Sequence, residues 1–143
     1  MSITSLPLIV FAFIFYFVVV LFGGSGTATE ILDTEVFSLP SMRGGENAPQ
    51  WVFNWGDLLL LITLVLLFVE ILKATYTSTA SLLDHGLSML VFIACLIAFL
   101  MVDAAYTSVF FMIMVMTLID VIAGYTIGIR VARRDIGFGG MGH

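Results

Sequence analysis

Four long apolar runs, divided by short polar turns and one longer loop, decide what this chain can fold into. They are Leu6–Phe22, Trp55–Tyr76, Leu82–Asp103 and Thr107–Arg130. A bilayer core about 30 Å thick is crossed by a helix of roughly 20 apolar residues. Each run is close to that length, so the expectation is four transmembrane helices at about 6–23, 55–77, 82–103 and 107–130. Composition points the same way. Hydrophobic residues make up 61% of the chain and charged residues 10%, where a soluble domain carries about 25% charged residues. This chain could not cover a globule with polar surface. The predicted class is an all-α integral membrane protein: a single multi-pass domain over residues 1–143, built as a four-helix bundle.

Punctuation supports the spans. Pro7 suits a first helical turn, where its missing N–H costs little, and Gly23-Gly24 suit a helix end. The first run has no basic segment before it and is read as a retained helix, not a cleaved leader. Arg130, Arg133 and Arg134 cluster just after the fourth run and place the C-terminus in the cytoplasm. Four crossings bring the N-terminus to the same side. The 24–54 loop then faces outward, into the periplasm if the membrane is a bacterial inner membrane. Its acidic residues Glu30, Asp33, Glu35 and Glu46 against Arg43 alone suit that face. Trp51 and Trp55 would anchor the outer interface, and the three arginines the inner one. Within the loop, Thr27-Ala28-Thr29-Glu30 reads as a capping box, which predicts a short interfacial helix near Ala28–Phe37 with the rest irregular. The loop suits docking on a neighbour or a plain surface role equally. Ser81-Leu82-Leu83-Asp84 reads as a second cap that opens the third run. Ala104–Tyr106 is short enough to make the last two helices a tight hairpin. The Gly-rich tail, 135–143, is expected to be flexible.

Asp120 interrupts the fourth run near its middle. A carboxylate there costs on the order of 2.5–3.5 kcal/mol on insertion scales, so something must offset it. Thr117, Asp120, Gly124 and Gly128 step by three, four and four and share one helix face. Gly124 and Gly128 form a small-xxx-small pair that favours close helix approach, here expected to meet the second span. On that span, Thr63, Glu70, Lys73 and Thr77 lie near one face. Glu70 lies ~21 Å along its helix from Gly56, and Asp120 ~21 Å from Tyr106, at 1.5 Å per residue. The two carboxylates should therefore share a depth. Lys73 could fold back on Glu70, pair with Asp120 or snorkel to the interface. Thr63, Glu70, Lys73, Thr117 and Asp120 form either a structural polar cluster that fixes helix register or a proton or cation site. The structural reading is the expected one, because the outer half of spans one, three and four is nearly all apolar.

Other candidates read more plainly. Asp57 and Asp103 are expected as interfacial caps, and Asp84 and His85 as interfacial residues in the first turn of the third span. Paired-histidine haem ligation would need a second histidine, and only His143 remains. Cys95 lies alone in an apolar run, and no metal-type Cys/His spacing occurs. The sparse basic residues exclude a nucleic-acid footprint. The 13 Phe and 8 Met residues suit lipid contact and plastic packing. The first run is apolar on every face, so helix 1 should be more peripheral than the compact bundle of helices 2–4. No catalytic constellation is present, and the chain reads as a non-enzyme without cofactors beyond bound lipids. The functional expectation is a non-catalytic accessory subunit of a larger bacterial inner-membrane complex, energy-transducing or transport. It would pack against membrane lipids and other membrane subunits and dock through its periplasmic loop. The alternative is a small oligomeric proton- or cation-coupled channel or transporter using Glu70 and Asp120. A weaker one is a lipid or membrane-shape scaffold.

Overall fold

The computed structural model describes the backbone of residues 6–76 and 80–141, with side chains at 6–76, 83–130 and 133. In chain order the elements are α1 (Ile9–Phe22), α2 (Ala28–Leu32), β1 (Glu35–Pro40), β2 (Gln50–Asn54), α3 (Trp55–Tyr76), α4 (Ala80–Met101) and α5 (Ser108–Met141). Three helices are long and apolar enough to cross a membrane, in the stretches Trp55–Tyr76, Leu83–Met101 and Ser108–Arg130. The fourth, α1, has 14 residues, about 21 Å at 1.5 Å per residue. This is a mostly helical, membrane-embedded protein.

The helix α5 is the centre of the bundle. Both α3 and α4 pack along it, and α1 lies against α3, α4 and α5. α3 and α5 run in the same direction, because Gly56 at the start of α3 meets Val109 at the start of α5. A Cβ at Gly56 would lie 2.9 Å from Val109 Cγ2. That close approach of α3 to α5 was expected at Gly124 and Gly128 from the sequence; it falls at Gly56 instead.

Helix α1 is not the uniform lipid-facing rib that its composition suggests. Ile9, Ala12 and Tyr16 are buried on one side, while Phe11, Ile14, Val18 and Leu21 are exposed on the other. Phe13, Tyr16 and Phe17 surround Phe110 of α5, with the Tyr16 and Phe110 ring centroids 4.9 Å apart. The Tyr16 hydroxyl donates to the Ala104 carbonyl at 2.7 Å and lies 2.7 Å from Thr107 Oγ1. One phenol thus ties α1 to the α4–α5 turn. In a run that is apolar throughout, hydropathy cannot tell a packed face from a lipid face; the single hydroxyl marks it.

The 24–54 loop is more ordered than expected. The Thr27/Glu30 capping box forms and starts α2, but that helix ends at Leu32. An antiparallel hairpin follows, with Phe37 opposite Phe53 and Leu39 opposite Trp51. Short Val-, Phe- and Trp-bearing segments flanking a Gly/Pro-rich turn favour strands, and this overrides the irregular reading. At the other end, α5 continues as helix to Met141, past the boundary near Arg130 and through much of the expected tail. Residues 142–143, Thr77, and the side chains of Ser81 and Arg134 lie outside the described residues.

Candidate functional site

Three helices bring ionisable side chains to one end of the bundle. α3 supplies Glu70 and Lys73, α4 supplies Asp84, His85 and Ser88, and α5 supplies Asp120. Glu70 is 3% exposed, Asp84 6%, His85 4%, Ser88 0% and Asp120 2%, a degree of burial that charged residues almost never reach unless paired.

Lys73 is the cationic hub. Its ammonium lies 3.5 Å from Glu70 Oε1 and 3.4 Å from Asp84 Oδ2, and donates to the Leu6 carbonyl at 3.0 Å. Of the alternatives posed by the sequence, folding back on Glu70 is realised, and Asp84 of α4 is a carboxylate partner that the sequence reading did not include. The other Glu70 oxygen, Oε2, accepts the Leu8 backbone N–H at 2.9 Å. Leu8 is the N-cap of α1, so this N–H is one of the orphan donors at a helix start, at the positive end of the helix dipole. The start of α1 therefore clasps the Glu70–Lys73 pair from both sides, one backbone group for each charge. No sequence pattern signals it, because both groups belong to the main chain.

Asp120 faces Ser88 across the α4–α5 contact, and Ser88 also donates to the Asp84 carbonyl at 3.2 Å. His85 lies over Gly124 and Gly128. A Cβ at Gly124 would fall 2.6 Å from the His85 Cε1, and one at Gly128 would reach Nε2 at 3.7 Å. The glycine pair leaves room for an imidazole of α4, not for α3. The ring also packs near Tyr125, with centroids 5.7 Å apart.

Asp84 and His85 are thus part of the site, buried between the helices. A signal was present: Asp84, Ser88, Cys95 and Ala98 fall on one helical stripe of small and polar residues, and all four are buried. The expected members Thr63, Glu70, Thr117 and Asp120 are all buried, but both threonines satisfy themselves locally. Thr63 donates to the Leu59 carbonyl and Thr117 to the Met114 carbonyl, each at 2.6 Å. Thr117 also reaches Cys95, a small polar layer next to the charged one. Beyond it, Leu59, Phe110 and Ile113 close the core with apolar packing. Asp57 behaves as the sequence suggests: Asn54 N donates to its Oδ2 at 3.2 Å, and its own N–H donates to Asn54 Oδ1 at 2.8 Å. Asp103 is exposed and opens the short 3₁₀ turn between α4 and α5. Trp51 lies in β2, Trp55 opens α3, and Arg130 and Arg133 are exposed on the far part of α5.

Three buried polar atoms lack a hydrogen-bond partner among the described residues, Asp84 Oδ1, His85 Nε2 and Asp120 Oδ2, while Glu70 Oε1 is met by the Lys73 ammonium at ion-pair distance, 3.5 Å. Each such atom costs roughly 1–3 kcal/mol when left unmet. Fully ionised, the three carboxylates would leave two negative charges uncompensated by Lys73. Such a cluster is a poor device for simple stability and a suitable one for holding protons. Among the described residues no group of three His, Cys, Asp or Glu is spaced to hold a metal ion. No family model matches the chain, and no curated protein or solved structure shows significant similarity to it.

Proposed function

We propose that this protein is a membrane-embedded proton-holding module, in which Glu70, Asp84 and Asp120 share exchangeable protons beside Lys73, with His85 as the exchanging group. The observation that carries this reading is the convergence of three buried carboxylates from α3, α4 and α5 on one lysine and one histidine, with Asp84 Oδ1, His85 Nε2 and Asp120 Oδ2 left without a hydrogen-bond partner among the described residues. A cluster that only fixed register would be expected to satisfy its members, since a half-satisfied polar network is less stable than an apolar core.

The apolar layer at Leu59, Phe110 and Ile113 blocks a continuous polar path through the chain. This supports a role as a subunit that presents protons within a larger membrane assembly over that of a free-standing channel. α1 joins the three longer helices in crossing the bilayer, both termini lie on the same face, and the arginines of α5 put that face in the cytoplasm.

Proton uptake by the purified protein after a pH jump, followed with a soluble pH dye, tests the reading. Glu70→Gln, Asp84→Asn and Asp120→Asn should each reduce the uptake. Liposomes carrying the protein alone should show no proton flux. Uptake unchanged in all three variants would remove the proposal, and fast flux by the lone chain would remove the subunit reading.

A further inference from the structure

The β1–β2 hairpin is an odd structure for the end of a membrane bundle. An isolated two-stranded hairpin is at best marginally stable in water and needs a surface to bury against. The cross-strand pairs Phe37–Phe53 and Leu39–Trp51 put four apolar side chains on one face. Phe37 and Phe53 stack at 4.8 Å, and Trp51 meets both edge-on at 5.9 and 5.7 Å. This face is open: Phe37, Leu39 and Trp51 are 44%, 53% and 55% exposed, and Met42 in the connecting turn is fully exposed.

The base of the hairpin is held at the membrane. β2 runs into α3 with no intervening residue. The Trp55 N–H donates to the Thr34 carbonyl at 3.1 Å, and Asn54 and Asp57 cap one another across the junction. Behind it, α2 buries Ile31 and Leu32 in the bundle. The hairpin therefore leaves from the mouth of a spanning helix and cannot drift away. A six-residue strand is ~20 Å long, whereas the polar layer on each side of a bilayer is only about 5–8 Å deep. Standing upright, the hairpin would carry Leu39, Met42 and Trp51 through that layer into water. Lying flat, it keeps its rings at the level where Trp is enriched in membrane proteins.

We propose that this hairpin is a membrane-surface anchor whose face of Phe37, Leu39, Trp51 and Phe53 rests in the lipid headgroup–acyl boundary. The aromatic face carries no ionisable side chain, and Arg43 and Glu46 in the turn offset one another. Anchoring is therefore apolar and needs no anionic lipid.

The test uses the full chain in phosphatidylcholine liposomes with Trp55→Phe, which leaves Trp51 as the sole tryptophan. Lipids brominated near the headgroup end of the acyl chain should quench Trp51 strongly, and iodide should quench it weakly. Adding anionic lipid or salt should change neither. Iodide quenching like that of free tryptophan would overturn the proposal. Shielding from iodide without quenching by brominated lipid would also overturn it, and would point to protein covering the face. If Trp55→Phe does not fold, an environment-sensitive dye on Met42→Cys gives the same readouts, since Cys95 is buried and left unlabelled. A dye quenched by brominated lipid supports the anchor, and a dye in water refutes it.

Discussion

Lys73→Met removes one charge and keeps most of the side-chain volume, so its effect reports the cluster's electrostatics. The wild-type ammonium lies 3.5 Å from Glu70 and 3.4 Å from Asp84 and donates to the Leu6 carbonyl at 3.0 Å. Removing one member of a buried ion pair costs about 3–5 kcal/mol, because the other is left unmatched. The Lys73 side chain is 20% exposed while Glu70 is 3%, so partial hydration places the expected loss near the low end, about 3 kcal/mol. That is on the order of a hundredfold in the folding equilibrium. Equilibrium unfolding in mixed micelles measures it. The partner specificity makes the test sharper: adding Asp84→Asn to Lys73→Met should recover at least half of the loss, and adding Asp120→Asn clearly less. A Lys73→Met protein as stable as wild type, or equal rescue by Asp120→Asn, would refute the assignment of Lys73 as the hub between α3 and α4.

Three further outcomes follow from the packing. Gly124→Ala should lose about 1–3 kcal/mol by crowding the His85 ring, and His85→Ala in the same chain should recover most of it; unfolding midpoints of the single and double variants decide this. Tyr16→Phe removes the link from α1 to the Ala104 carbonyl and should cost about 1 kcal/mol, within the range found for hydrogen bonds between membrane helices, read in the same unfolding assay. Cysteines placed at Ser41 and Gly137 should label from opposite sides of the membrane in sealed vesicles; labelling of both from one side would remove the four-crossing topology.

The three long apolar helices were legible because hydropathy over twenty residues depends on composition and not on contacts. The helical rise also brought Glu70 and Asp120 to similar depths, and the two are electrostatic neighbours in the fold. What sequence periodicity could not supply was which helix meets which. Gly124 and Gly128 read as a close-approach face for the second span, but what lies over them is the His85 side chain of α4. Asp84 and His85 read only as residues near a helix start, because their burial comes from Lys73 of α3 and Gly124 of α5, which periodicity within one run cannot reveal. The clasp on Glu70 and Lys73 uses backbone groups of Leu8 and Leu6, which every residue has, so no residue type announces it. The hairpin escaped notice because its strands are short and its neighbours read as loop.

Infrared difference spectra of the reconstituted protein across a pH step test the central claim most directly, because protonated carboxyl groups have their own C=O stretching band. The account predicts bands that appear and vanish reversibly with pH in the folded protein. At least one should be lost in each of Glu70→Gln, Asp84→Asn and Asp120→Asn, and the bands should shift in Lys73→Met. A spectrum without carboxyl bands that follow pH, or one whose bands survive all three carboxamide substitutions, would contradict a shared proton site.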